Sequence, residues 1–188
     1  PGMLERSLKK TYNLLASNNN FPKGMIVGFA KAAPEEVRAM FLDLFDENKD
    51  VFERMNAFKL QSSILLEKHG NGAAQHYQYE NAISIYLWLR YPNKYYIYKF
   101  GEIKKVAGEL ESDYQFKKGA YADNICNFLH LYDEISAALK EDTELVNLLR
   151  SQLTDTCYPD PELKRLTIDV GFYISHYIVD EKSEEGTG

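Results

Sequence analysis

The stretch Ile83–Leu110, ISIYLWLRYPNKYYIYKFGEIKKVAGEL, concentrates the features that decide how this chain folds and what it binds. It holds the single Trp of the sequence, a run of Tyr and Phe rings, and five Lys or Arg residues around a Pro-Asn break. Aromatic rings interleaved with cations are typical of a helical core with solvated edges, or of a surface that stacks bases and pairs with phosphates. Both interpretations stay open at this point.

Outside this stretch, apolar residues recur at helical spacing along most of the chain. Pro34 precedes the stripe from Val37 to Phe45, where the first turn of a helix accepts proline, and Pro92 ends the helix that carries Ile83. Further stripes lie within residues 51–65, 101–110, 125–139, 145–149 and 163–177. We therefore predict a mainly α fold, a compact bundle-like domain of about seven or eight helices, with at most a minor β element near residues 95–100.

Two helix starts are marked by capping residues. Asp142 precedes a short stripe of leucines, and Asp160-Pro161-Glu162 combines a capping side chain, a proline in the first turn and an acid favoured by the helix dipole. For domain organisation we predict three parts: an N-terminal helix and loop (1–20), a helical N-terminal module (21–179) and a polar linker or tail (180–188).

The 188-residue chain has a formal net charge of −6 and a pI near 5.3. This balance argues against nucleic-acid binding over the whole surface, because affinity for phosphate needs positive potential. Positive charge is nevertheless concentrated between Arg90 and Lys118, whereas acids gather at 43–50 and 180–185. We also expect no membrane partner and a cytoplasmic location, since no secretory leader or long apolar run is recognisable.

No catalytic motif is complete. Gly24 and Gly28 are spaced wrongly for a phosphate-binding Walker loop, no Lys-Ser or Lys-Thr follows them, and they are predicted to lie in a tight loop before a helix. We therefore predict that this chain is not an enzyme and holds no cofactor. A remote alternative is a Mg²⁺-dependent nuclease, in which Asp160 and Asp180-Glu181-Lys182 match the letters of a PD-(D/E)xK site.

A metal site is the other alternative, and we predict none. The four candidate ligands are Cys126, His130, Cys157 and His176. Structural zinc sites usually have pairs of ligands that are closer together in the sequence than these are. Cys126 is predicted to be a small buried hydrophobe beside an apolar stripe. His69 and His76 flank a Gly-rich loop and are predicted to be solvated.

The cations of the opening stretch flank a proline turn and a helix start, where backbone N–H groups and the helix dipole favour phosphate. They are the candidate DNA-binding residues: Arg90, Lys94, Lys99, Lys104 and Lys105.

The order FPKGMI, FAK, VRAMFLDLFDE, AISIYLWLRYPNKYYIYKFGEIKKVA and LTDTCYPDPELKRLTIDVGFYI resembles the N-terminal region of McrB-type AAA+ NTPases. These are bacterial 5-methylcytosine-specific restriction or defence ATPases. The resemblance runs from about Phe21 to Tyr177. Its most specific pieces are LRYP at 89–92, YYIYK at 95–99 and YPD at 158–160.

The resemblance implies a DNA-recognition or adaptor domain that precedes an NTPase ring, with the ring recruiting a separate nuclease subunit. DNA, the downstream AAA+ ring and the nuclease subunit are then the expected partners, and ATP or GTP with Mg²⁺ is expected only in a following NTPase domain. If a flipped base is read, the aromatic pocket candidates are Trp88, Tyr91, Tyr95, Tyr96 and Tyr98. The alternative function is a protein-docking module that contacts its own ring or a nuclease partner without touching DNA.

Overall fold

The computed structural model describes residues 1–16 and 21–178; the predicted tail at 180–188 lies outside the described residues. The chain divides into two compact units, which we call the N-terminal unit (residues 1–90) and the C-terminal unit (residues 91–188). The described residues contain helices and no strand, and eight of the helices have ten or more residues. The prediction of a mainly α fold of seven or eight helices is confirmed, and the segment 95–100 forms no strand.

The described residues of the N-terminal unit form six helices, and three of these begin at a recognisable sequence signal. A proline opens both α3 and α4, and the Asp50 carboxylate caps α5 by accepting the N–H of Glu53 at 3.0 Å. Gly24 and Gly28 lie inside α3, not in the predicted loop, because the helix already begins at Pro22. The helices are α1 Gly2–Ser7, α2 Tyr12–Leu15, α3 Pro22–Ala32, α4 Pro34–Leu44, α5 Val51–His69 and α6 Glu80–Arg90.

A buried arginine holds the connection between α4 and α5. Arg54 is 3% exposed, and its Nη1 donates to the carbonyl of Leu44 at 2.7 Å and to the Glu47 carboxylate at 3.1 Å. The guanidinium thus satisfies an end carbonyl of α4, where a cation is favoured by the helix dipole. No sequence signal pointed to this residue, because its charge alone is typical of a solvated position.

A buried polar pair closes the loop before α6. The ring Nδ1 of His76 accepts the backbone N–H of Gln78 at 2.9 Å, and the Gln78 amide donates to the carbonyl of Pro22 at 2.8 Å and accepts from Tyr86 Oη at 2.8 Å. His76 is 5% exposed, so the prediction of a solvated His76 is wrong. The loop folds its polar side chains inward, where each finds a partner.

Within residues 91–178, the C-terminal unit begins with the extended segment 91–99, followed by four helices and one π-helical turn. The Asp142 carboxylate caps α9 as predicted, accepting the N–H of Leu145 at 2.9 Å. The core of the unit is aromatic, with Tyr96, Phe128 and Tyr132 each at most 2% exposed. The elements are α7 Phe100–Glu109, α8 Tyr121–Glu141, α9 Thr143–Gln152, α10 Lys164–Tyr173 and the π turn Ile174–Ile178.

The start of α10 differs from the prediction. Asp160 and Leu163 both have left-handed backbone angles, with φ of 44° and 55°, so the helix begins at Lys164 and not at Pro161. The Asp160 carboxylate still caps it, by accepting the N–H groups of Arg165 at 3.1 Å and Leu166 at 2.9 Å. A left-handed Leu is strained, and burial of its side chain holds it there.

The first prediction concerns pH. Burial, and secondarily the charge of Lys59, lower the pKa of His76 below its ordinary value of 6.5. The folded state therefore favours the neutral ring, and the free energy of unfolding is highest above pH 6.5 and falls as acid protonates Nδ1. Urea unfolding between about pH 7.5 and about pH 5.5 measures this loss. His76→Gln should flatten the pH profile, and an unchanged profile in this variant would contradict the assignment.

The second prediction tests the close approach of α10 to α8. A Cβ on Gly171 would lie 2.3 Å from the buried hydroxyl of Tyr132. Gly171→Ala should therefore lower the free energy of unfolding by about 1–3 kcal/mol. Gly108→Ala is the matched control, because open space surrounds its Cβ on α7, and it should stabilise by up to ~1 kcal/mol. Equal effects of the two changes in chemical denaturation would contradict the packing described.

Candidate nucleic-acid interface

The tyrosines of the extended segment turn inward. Tyr95, Tyr96 and Tyr98 are 5%, 1% and 5% exposed, and the ring of Tyr98 meets Phe128 edge to face at 5.3 Å. The Tyr96 ring meets Tyr132 in the same way at 5.3 Å. Burial raises the pKa of the Tyr96 hydroxyl well above its ordinary value. These three aromatic pocket candidates therefore pack in the core of the C-terminal unit.

The other two pocket candidates are more accessible. Tyr91 is half-buried in the C-terminal unit, with its ring 6.2 Å from that of Tyr95. Trp88 is half-buried on α6 of the N-terminal unit, and its indole Nε1 has no hydrogen-bond partner among the described residues. A role for any of the five in holding a flipped base stays a prediction.

Four of the five candidate cations belong to the C-terminal unit and are exposed. Lys94 lies in the proline turn with its Nζ 5.5 Å from the centre of the Tyr95 ring. Lys99 immediately precedes α7, and Lys104 and Lys105 follow in its second turn. The fifth cation, Arg90, is the exposed last residue of α6 in the N-terminal unit.

The start of α7 carries its own acid. The Glu102 carboxylate lies in the first turn, where the helix dipole favours it, and it pairs with Lys99 at 3.1 Å. The Glu102 side chain is 7% exposed, whereas that of Lys99 is 46% exposed. A phosphate at this helix start would therefore compete with Glu102 for Lys99. This makes Lys104 and Lys105 the stronger candidates for phosphate binding.

The end of α10 and the π turn carry a group of aromatic residues that reach solvent. The Phe172 ring stacks on His176 at 4.1 Å and 23°, and Tyr173 stacks on Tyr177 at 5.3 Å and 30°. Phe172, Tyr173 and Tyr177 are 41%, 52% and 54% exposed. We call these four residues the aromatic patch.

Two of the predicted cations border the aromatic patch. Lys99 Nζ lies 5.7 Å from the centre of the Phe172 ring, and Lys105 Nζ donates to the backbone carbonyl of Ser175 at 3.2 Å. The structure thus brings candidate phosphate-binding lysines next to exposed rings that sequence reasoning had not assigned. Exposed rings beside lysines can stack on unpaired bases while the ammonium groups contact the backbone phosphates.

Sequence reasoning missed the aromatic patch because it extended the apolar stripe of α10 as far as Tyr177. Thr167 and Ile174 form the buried side of this segment, whereas Phe172 and His176 fall on the opposite side of a helix. The i, i+4 pairs of rings at 172/176 and 173/177 were the available signal.

The alternative metal site receives no support from the arrangement of its residues. Cys126 Sγ lies 3.9 Å from the Nδ1 of His130, and no group of three or more potential metal-ligating side chains occurs among the described residues. Cys126 is exposed, so its predicted burial is wrong; it falls on the solvent side of α8, although its neighbour Ile125 is buried. Cys157 is also exposed, in the loop before α10.

The carboxylate proposed for a nuclease has a structural task. Asp160 is 3% exposed and accepts two backbone N–H groups of α10, so both of its oxygens are engaged in capping. Asp180-Glu181-Lys182 lies outside the described residues.

In the described part of the chain, no helix is long and apolar enough to cross a bilayer.

The third prediction follows from this cap. Asp160→Ala should lower the free energy of unfolding by about 1–2 kcal/mol, because two first-turn N–H groups of α10 lose their acceptor. Asp155→Ala, at an exposed position of the same loop, is the control and should be neutral. Thermal unfolding followed by circular dichroism measures both. A fully stable Asp160→Ala protein would show that the carboxylate does not serve as the cap.

Comparison with known proteins yields no relative: no family model, no curated protein and no solved structure matches the chain.

Proposed function

We propose that this chain is a non-catalytic DNA-recognition or adaptor module, as the N-terminal region of a McrB-like AAA+ restriction or defence NTPase would be. The observation that carries the proposal is the aromatic patch bordered by Lys99 and Lys105, with Lys104 exposed on the same helix. The sequence resemblance supports the place of this module before an NTPase ring. In that proposal, ATP or GTP with Mg²⁺ binds only a following NTPase domain, and a nuclease subunit is a further partner.

The chemistry of the interface favours unpaired bases. Stacking on a protein ring requires the face of a base, which a duplex hides between neighbouring base pairs. The Tyr173 and Tyr177 rings stack on each other at 5.3 Å and 30°, and each is more than half exposed, so ring surface remains accessible to a base. We therefore expect a single strand, or a duplex with an extruded base, to bind more tightly than an intact duplex.

The competing function is a protein-docking module, which the net charge of −6 and the exposed tyrosines favour. Salt separates the two functions. Phosphate contacts release counterions, so the logarithm of affinity falls with the logarithm of salt by ~0.7 per contact for a single strand and ~0.9 for a duplex.

The fourth prediction is tested by fluorescence anisotropy with a labelled single strand and with duplexes that contain or lack 5-methylcytosine, at two salt concentrations. Lys104→Glu with Lys105→Glu should weaken binding to every DNA and reduce its salt dependence, because phosphate contacts are lost. Adding Lys99→Glu should deepen the loss.

Lys117→Glu with Lys118→Glu is the matched control, since it also reverses two adjacent exposed charges in the C-terminal unit. Tyr173→Ala with Tyr177→Ala should weaken single-strand binding by about 1–3 kcal/mol per stacked base lost, and Tyr121→Ala, at 48% exposure, should not. Binding that survives both lysine and tyrosine changes places the DNA elsewhere. No binding of any DNA in low salt favours the docking module.

A further inference from the structure

A groove in the N-terminal unit lies between α1, α4 and α6 and has a volume of about 720 Å³. Its floor is formed by buried, well-packed residues. Val37 and Tyr86 are each 2% exposed, and the Phe41 ring meets the Tyr86 ring edge to face at 5.2 Å. Tyr86 Oη is in turn held by the Gln78 side chain at 2.8 Å. The floor is therefore formed before any ligand binds.

The rim of the groove is apolar and exposed. Met3 on α1 is 75% exposed, Leu42 on α4 is 61% exposed and Leu89 on α6 is 42% exposed. Single exposed apolar residues are ordinary on protein surfaces. Three large ones around one apolar concavity mark an interaction site, because each would lose contact with water when a partner covers them.

The charged residues beside the groove are mainly basic. Arg38 and Arg90 line it together with one acid, Glu35. Arg38 pairs with Glu35 at 3.4 Å, and their side chains are 70% and 82% exposed, so this pair is weak and readily exchanged for another carboxylate. Acidic groups on an incoming partner would therefore meet complementary charge.

We propose that this groove binds an amphipathic helix of a partner protein whose apolar stripe is flanked by acidic residues. A helix presents a continuous apolar stripe along one side, so it can contact the floor and the exposed rim residues together. Its apolar side chains at i, i+3, i+4 and i+7 fill the space above Phe41 and Tyr86. The acids beside that stripe meet Arg38 and Arg90.

Other occupants fit the rim less well. A small amphiphile seated on the floor leaves Met3 and Leu42 in water, because these side chains stand at the margin with more than half their surface exposed. A second copy of this chain that used the same face would bring together two rims with the same excess of basic charge. The proposal does not depend on DNA binding by residues 91–178.

The fifth prediction uses the full chain and synthetic helical peptides as probes. One peptide carries Leu at i, i+3, i+4 and i+7 with Glu on both flanks; a second replaces Glu by Lys; a third scrambles the Leu positions. The Glu-flanked peptide should bind in the micromolar range, the Lys-flanked peptide several-fold more weakly, and the scrambled peptide not measurably. Isothermal titration measures all three.

Two leucines of equal exposure give the matched variants. Leu42→Glu should weaken binding of the Glu-flanked peptide roughly tenfold or more, whereas Leu60→Glu on α5, at 60% exposure against 61%, should leave it unchanged. Arg38→Glu should reverse the preference between the Glu-flanked and Lys-flanked peptides. Met3→Glu serves as a second rim variant, and circular dichroism shows whether each protein keeps its helicity.

Several results would overturn the proposal. Absence of binding by every peptide at about 100 μM excludes a helix-binding groove of useful affinity. Equal binding of the three peptides, or equal losses in Leu42→Glu and Leu60→Glu, shows non-specific adsorption. Binding of a long-chain fatty acid with no peptide binding assigns the groove to an amphiphile. A dimer in sedimentation equilibrium that Leu42→Glu dissociates assigns it to a second copy.

Discussion

The hydroxyl of Tyr96 is the point on which the C-terminal unit depends. It donates to Asp133 Oδ1 of α8 at 2.8 Å and accepts from Lys164 Nζ of α10 at 2.7 Å, while its ring stays buried. The extended segment 91–99, α8 and α10 are thereby joined at one place. Because the segment leads into the lysines of α7 and α10 leads into the aromatic patch, this network positions both halves of the proposed interface. Removing the Tyr96 hydroxyl would leave the largely buried ammonium group of Lys164 with one hydrogen-bond partner fewer.

The helices were predictable where one face is apolar throughout. The stripe beginning at Val37, the stripe within α5 and the long stripe of α8 each correspond to a helix that buries the larger part of that stripe. The predicted start of a helix was wrong where the backbone departs from helical φ and ψ angles. Nothing in Asp160-Pro161-Glu162 shows that Leu163 adopts a left-handed conformation and delays α10, because that conformation is imposed by tertiary burial of Leu163.

The candidate site was half predictable. The lysines at 99, 104 and 105 were identified from charge, which usually places a side chain at the surface, and all three are exposed. The rings beside them were not, because the Tyr-rich segment next to those lysines in sequence faces the core while Phe172 and Tyr177 approach through the fold. Sequence proximity therefore paired the lysines with rings that mostly pack in the core. The burial of His76 was not predicted, for a related reason. Its ring accepts a hydrogen bond from the backbone N–H of Gln78, in a loop that has no helical periodicity.

The position of Trp88 has a spectroscopic consequence. It is the one indole of the chain and lies half-buried on α6, within residues 1–90. The C-terminal unit emits through tyrosine alone, and its phenols range from buried ones, such as Tyr96, to exposed ones, such as Tyr121 and those of the aromatic patch. Selective excitation of tryptophan therefore follows the unfolding of the N-terminal unit, while far-ultraviolet circular dichroism follows the helices of both. Two transitions that differ between these signals would show that the units melt independently; coincident transitions would show that they melt as one.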